Sequence, residues 1–302
     1  MIRFYGIYCY LSILFLLLST KLLFAGNIAA DTIAIKHKAN RYSLRTLAVN
    51  YTLFRDFATS PLFYRGGGLS FGHGWLNINN NRERHTELDF LGNITLAKTP
   101  KSNYFQTATS SFFFAVNGYF HYLQTVKKIS KSKNTIRFGG AFLSTQNIRI
   151  NPGLMNASAG LETFLNLMFS AKIERDISRN TVKDFRLLFI KKQLQPVKRK
   201  ISFQLNAGII NLNRRPGYAY VYDSELNGTK TNGIKWIFDS YQWSLNGWRF
   251  QTRIEFSKYR PSGNGRKIAY LWDIAHAPGK FEPFQMAIHR IQYTLIINNN
   301  RK

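Results

Sequence analysis

The sequence predicts an all-β fold: an antiparallel, up-and-down barrel of about ten membrane-crossing strands, within a range of eight to twelve. Three observations predict it. From Gly66 to the C-terminus, segment after segment alternates apolar and polar residues, as in Trp248-Arg249-Phe250-Gln251-Thr252-Arg253-Ile254-Glu255-Phe256, and a strand turns successive side chains to opposite faces. The segments run about 9–15 residues, nearer the roughly 9–11 of a tilted membrane strand than the ~5–6 of a globular one. Their polar faces carry Glu, Asp, Arg and Lys, which a sandwich interior could not easily pair. A sandwich that turns those charges to water is the competing architecture. Closure is favoured because lipid leaves no water to satisfy an open sheet edge.

Ahead of the strands, Arg3 precedes an apolar run from Ile7 to Leu18, and Leu22-Leu23-Phe24-Ala25 leads to small residues at Ala25, Gly26, Ala29 and Ala30. Basic end, apolar middle and small-residue exit are the order of a secretory signal. Residues 1–25 are assigned to it, with cleavage as late as 30. A helical anchor is the alternative, and Lys21 breaks the run that it would need. Residues 26–65 alternate poorly and are assigned to a periplasmic or plug segment, with an extra strand around Leu47–Phe54 as an alternative. Residues 66–302 are assigned to the barrel. Cys9 lies within the signal, so the mature chain of about 275 residues offers no disulfide or thiol chemistry.

The strands follow in order. Gly68–Ile78 comes first, with Gly72 and Gly74 marking bends. In His85–Ala97, Leu88, Phe90, Ile94 and Leu96 face lipid, and His85, Glu87, Asp89, Asn93 and Thr95 face the lumen. Thr109–Gln124 sets Phe112, Phe114, Val116, Phe120 and Tyr122 against Asn117, Tyr119 and His121. Thr135–Thr145 turns Arg137 inward, and Gly160–Glu174 turns Glu162, Asn166, Ser170, Lys172 and Glu174 inward. A shorter run, Phe185–Lys191, is the sixth strand, with Arg186 inward. Lys200–Asn211 is the seventh. Asn213–Asn246 breaks the rhythm and reads as a long surface loop. Trp248–Tyr259, Lys267–Ile274 and Phe284–Ile297 complete ten. The last changes phase near His289-Arg290, which predicts a bulge.

The chain carries 42 basic against 15 acidic side chains. In a soluble protein that balance would suggest nucleic acid, which an export signal argues against. Here the bases crowd into expected turns: Lys127, Lys128, Lys131 and Lys133, then Lys198 and Arg199, then Arg214 and Arg215. These are candidate ligands for anionic lipid, with lipopolysaccharide phosphates and an envelope protein as expected partners. Solvated loops with a basic drift explain them equally well.

Chemistry is sparse. His85, Glu87 and Asp89 share one face of one strand, Asp273 points inward, and His276 follows it. A His beside carboxylates can act as a general base, and paired acids can activate water, as in outer-membrane aspartyl-type proteases. The inward bases Arg137, Arg249, Arg253 and Lys172 give those acids structural partners instead, and that reading is preferred. Two same-face ligands do not make a metal site. Ser70 and His73 fall on opposite faces, and no Gly-x-Ser-x-Gly, phosphate loop or dinucleotide fingerprint occurs, so no cofactor is expected. Trp75, Trp248 and Trp272 fit interfacial girdles.

Taken together, the signal, the Gly66-Gly67-Gly68 opening, the Asn79-Asn80-Asn81 turn and the basic loops resemble uncharacterised outer-membrane β-barrel proteins of the Bacteroidota over residues 66–302. The C-terminus departs from the usual pattern, because Leu295-Ile296-Ile297 is followed by Asn-Asn-Asn-Arg-Lys rather than a terminal aromatic. The resemblance implies residence in a bacterial outer membrane and a structural or binding role at the envelope. A luminal hydrolase or a small specific channel is the alternative; ten strands with bulky inward residues are too narrow for a general porin.

Overall fold

The structure is a computed structural model and describes residues 40–57, 59–97, 110–157, 159–187, 190–216, 241–278 and 283–300. The expected signal lies outside the described residues. Thirteen strands are present among them: β1 (Asn40–Asp56), β2 (Ser60–Ile78), β3 (Arg82–Ala97), β4 (Ser110–Thr125), β5 (Asn134–Ile150), β6 (Ala159–Asp176), β7 (Lys183–Leu187), β8 (Ile190–Leu194), β9 (Lys198–Pro216), β10 (Tyr241–Leu245), β11 (Trp248–Tyr259), β12 (Gly265–Pro278) and β13 (Pro283–Asn298). One 3-10 turn spans Pro152–Ala157. Among the described residues no helix is long and apolar enough to cross a membrane.

The sheet closes. β1 through β6 pair in sequence, β6 pairs with β9, β9 with β11, and β11, β12 and β13 lead back to β1, every pairing antiparallel. β10 pairs with the far end of β9, and Gly247, at φ 83°, turns the chain from it into β11. The barrel therefore has ten staves. Following paired residues once round leads from Asn40 through Ile78, Glu83, Leu123, Gly139, Ser170, Asn206, Gln251, Asp273 and Ile288 to Thr52, twelve positions along β1. At ~3.3 Å per residue and ~4.8 Å between strands, that shear tilts ten strands by about 40° and sets the backbone about 10 Å from the axis. A tube of that radius is filled by its own side chains.

Several expectations change. The barrel begins at Asn40: residues 40–56 are a stave and Ser60 opens the next, so the segment assigned to a plug up to residue 65 belongs largely to the wall. Phe185–Lys191 is not a stave, because β7 and β8 pair only with each other in a separate hairpin. The two shifts offset, and the count stays at ten. Asn213–Pro216 continues β9 and Tyr241–Leu245 forms β10, which leaves 217–240 of the expected loop outside the described residues. No bulge occurs at His289-Arg290, where β13 keeps unbroken register with both neighbours. Irregularities sit elsewhere: between Leu167 and Met168, which pair with Ile210 and Gly208 and leave Ile209 extra, and between Phe54 and Asp56 in the β1–β2 pairing.

The wall is inverted relative to a soluble protein. Val49, Ile94 and Ile291 are more than 60 % exposed, whereas Asp56, Glu83, Glu162 and Asp273 are at most 1 % exposed. Apolar side chains outside and charges inside are stable only where the surroundings are themselves apolar, as across a bilayer.

Candidate functional site: a sealed lumen

Every functional candidate on the wall takes its direction from strand parity. The chain enters β1 and leaves β13 at one end of the barrel, called here the terminal end; Asp56 and Ser60 lie at the opposite end.

The opposite end is closed by two layers. Outermost, Asp56 joins two guanidiniums. Arg215 Nη2 donates to Asp56 Oδ1 at 2.8 Å, Arg149 donates to Asp56 Oδ2, and Arg149 Nε also donates to Glu162 Oε1 at 3.1 Å. Beneath lies an aromatic septum. Phe54 stacks on Tyr64 with centroids 5.1 Å apart and leans on Phe113 at 5.3 Å, while Phe164 stacks on Phe284 at 5.7 Å. Leu91, Met286 and Ile288 complete this cluster. Arg149 and Arg215 lie over the Phe284 ring at 5.3 and 5.6 Å, so charge layer and septum are one seal.

Midway down, Arg249 grips Asp273 with two bonds, Nη2 to Oδ2 at 2.7 Å and Nε to Oδ1 at 3.0 Å, and reaches Thr145 at 2.8 Å. Asp89 accepts from Arg290 and, at 3.0 Å, from Asn117. Toward the terminal end, Glu83 accepts from Lys172 at 2.6 Å, and Glu255 from Lys267 at 2.7 Å. Two small spaces lie in the lumen, about 20 Å³ beside Glu87, Tyr119 and Arg253 and about 20 Å³ beside Lys172 and Glu255. Each is room for about one water.

Of the sequence candidates, His85, Glu87, Asp89 and Asp273 all reach the lumen and all are buried. His85 Nε2 lies 3.5 Å from Glu87 Oε2, whose carboxylate also faces Arg253 at 3.6 Å. Asp89 and Asp273 are held by different arginines rather than by each other. His276 does not join them; it pairs with Trp248 in register and stacks on that ring, centroids 5.9 Å apart. Its even parity in a strand whose odd positions face inward puts it on the outer wall.

A constellation that the sequence reading passed over sits beside them. His121 shares a hydrogen bond with the Tyr119 hydroxyl at Nδ1 (3.0 Å) and with Glu83 Oε1 at Nε2 (3.2 Å). Carboxylate, imidazole and hydroxyl in series form the arrangement that activates nucleophiles. His85 faces His121 directly across β3 and β4. Only the register brings these residues together, and the long β3–β4 connection does not fix a register in sequence. Glu83 is also claimed by Lys172 and by Arg137, at 3.3 Å. Among the described residues no group of three or more His, Cys, Asp or Glu is placed to hold a metal ion.

The basic candidates divide three ways. Lys127, Lys128, Lys131 and Lys133 are exposed in the β4–β5 turn, and Lys198 and Arg199 open β9, all at the terminal end. Arg214 lies on the outer wall near the opposite end, over Trp243 at 5.7 Å. Arg215 is no surface ligand: it is 3 % exposed, inside the lumen, donating to Asp56 and to the Ala277 carbonyl at 2.8 Å.

No protein-family model matches the chain, and no curated protein matches it. Among solved structures it is similar to the transport unit of the autotransporter AIDA-I from Escherichia coli, with 8 % identity over 94 % of this chain and 97 % of that one and a TM-score of 0.43. It is also similar to Neisserial surface protein A (8 %, 86 % and 98 %, TM-score 0.34) and to the translocator domain of autotransporter NalP from Neisseria meningitidis (6 %, 95 % and 97 %, TM-score 0.34). The barrel is established by the strand pairing and does not lean on these likenesses.

Proposed function

We propose that this chain is a sealed barrel of a bacterial outer membrane, with a structural or binding role at the envelope and no channel through it. One observation carries this reading: the septum of Phe54, Phe113, Phe164 and Phe284, capped by the Asp56–Arg149–Arg215 cluster, closes a lumen already filled by ion pairs. A filled interior leaves the surface as the place to act, and the surface is basic at the terminal end. Residues 1–25 would supply export, and anionic lipid or an envelope protein would be the partner. Purified protein in planar bilayers tests it: silence is expected, and unitary conductance from the wild-type chain would overturn it.

A second reading, a luminal hydrolase, is favoured by the Glu83–His121–Tyr119 series alone. Against it, each of the three is no more than 6 % exposed, and the space beside Tyr119 admits about one water.

A further inference from the structure

The outer wall at the terminal end carries a ring of cations. Arg41 in β1, Arg84 in β3, Arg175 in β6, Arg199 in β9, Lys258 in β11 and Arg266 in β12 each lie within three residues of a strand end, on the outward parity. Four of them begin where the apolar wall stops: the next outward residue is Ile173 before Arg175, Ile201 after Arg199, Phe256 before Lys258 and Ile268 after Arg266, while Ser43 and Thr86 follow Arg41 and Arg84. Three of the six stand side by side, since Lys258 pairs in register with both Arg199 and Arg266.

Like charges directly opposite one another across strands repel. Inside the barrel this chain places acids among such bases, as Glu255 stands between Lys267 at 2.7 Å and Lys172 at 3.7 Å. On the outer row it does not. The exposed acids among the described residues are Asp176 and Asp184, and Asp176 accepts the amide of Ser178 at 2.8 Å. At the opposite end Arg55 lies over the Phe57 ring at 3.8 Å and Arg214 over Trp243 at 5.7 Å; in the ring Arg84 lies over Tyr122 at 5.3 Å.

Resting on the outer-membrane reading above, we propose that this ring binds the phosphate headgroups of anionic phospholipids in the leaflet at the terminal end. Its shape selects that occupant. The cations point outward from six strands distributed round the barrel, whereas a protein partner would meet one patch or the mouth. A leaflet touches the wall on every side, and cationic stems at the edge of an apolar belt place their heads at phosphate depth. An exported chain inserts from the periplasmic side and both of its strand termini stay at this end, so the leaflet is the inner one. Lipopolysaccharide faces the other end.

The test uses the full mature chain in nanodiscs of phosphatidylcholine mixed with phosphatidylglycerol, reading the lipids retained by native mass spectrometry. Phosphatidylglycerol should be enriched, and the enrichment should fall with salt. The variant Arg199→Gln/Lys258→Gln/Arg266→Gln should lower it at least about fivefold, while Arg55→Gln/Arg65→Gln/Arg214→Gln at the opposite end, where Arg65 is exposed on the outer face of β2, should retain it. Equal enrichment in the ring variant, or loss in the opposite-end variant only, would overturn the proposal, as would displacement of phosphatidylglycerol from the ring by lipopolysaccharide. Should the triple variant fail to fold, Lys258→Gln alone gives a smaller loss or refutes the idea. Heat-modifiable migration and insertion into pure phosphatidylcholine vesicles test the barrel reading separately, since neither needs an anionic headgroup.

Discussion

Arg215 and Asp56 stand 159 positions apart in the chain and meet at 2.8 Å across the lumen, while Arg214, one residue earlier, faces the outside over Trp243. Parity alone separates the two arginines. Removing one member of a buried charge pair costs roughly 3–5 kcal/mol, because it strands the partner, whereas an exposed cation–π contact contributes about 0.5–1 kcal/mol. Arg215→Ala should therefore lower the urea midpoint of the detergent-solubilised barrel far more than Arg214→Ala. Equal losses would mean that Arg215 is not held inside.

A chain that begins at Gly66 should not close. It lacks β1, whose two edges pair with β2 and β13 over nearly their whole lengths, and an unpaired edge in lipid leaves backbone groups unsatisfied. The expected result is loss of the heat-modifiable, compact band on gels. A compact band from the truncated chain would show that β1 is dispensable.

β1 surfaced in the sequence only as the alternative strand around Leu47–Phe54, and β13 looked bulged, because both carry apolar residues on the inner face. Reading strands by alternation assumes a polar lumen, and near the opposite end this lumen is apolar. Phe54 in β1 and Phe284, Met286 and Ile288 in β13 all point inward into the septum. In β1 Phe54 lies in the septum, and Leu44 and Ala48, which lie outside it, are also inward, against Leu47, Val49 and Tyr51 outside, so the contrast fades. In β13 the inner face changes from Ile288 to Arg290 while the outer face changes from His289 to Ile291, so the contrast inverts with no change of backbone. Where the lumen is charged, as in β3 and β11, the sequence showed each side correctly: His85, Glu87, Asp89, Arg249 and Arg253 are all inside. The Glu83–His121–Tyr119 series needed a register, and alternation fixes a face but not a register.

Gly68 should be among the most sensitive positions on the wall. A Cβ there would lie 1.9 Å from the Gly92 carbonyl oxygen of the neighbouring strand, and that atom is backbone with nowhere to go. Gly67, on the outward parity, has 3.4 Å to its nearest neighbour. Gly68→Val should abolish or severely slow folding into detergent micelles, with Gly67→Val much milder. Matched folding yields would contradict the close approach of β2 and β3.

If the relay beside Tyr119 serves stability alone, Glu83→Gln should behave as the loss of a buried anion does: Lys172 and Arg137 lose their shared partner, and the barrel unfolds at markedly lower urea. Tyr119→Phe removes only a hydroxyl that bonds His121, Gln204 and Asn206, a loss of about 1–3 kcal/mol. Ester, peptide and lipid hydrolysis by the wild-type chain should stay at background throughout. Hydrolysis above background that Tyr119→Phe or His121→Gln abolishes in a fully folded barrel would instead make the series catalytic.

The septum, the Arg249–Asp273 layer and the Glu83–Lys172 and Glu255–Lys267 pairs stand in series along the lumen, and that arrangement predicts how hard the lumen is to open. Replacing Phe164 and Phe284 by alanine removes two rings from the septum, at about 3–5 kcal/mol each for buried aromatics. The breach then ends on Arg249, 2 % exposed and fastened to Asp273 at 2.7 Å. Phe164→Ala/Phe284→Ala should thus be less stable yet still silent in planar bilayers. Adding Arg249→Ala and Asp273→Ala removes the middle layer without leaving either charge stranded, and the barrel should still be silent, because the Glu83–Lys172 and Glu255–Lys267 pairs fill the lumen beyond it. Current from either variant, with the compact band persisting on gels, would show the deeper ion-paired layers to be permeable.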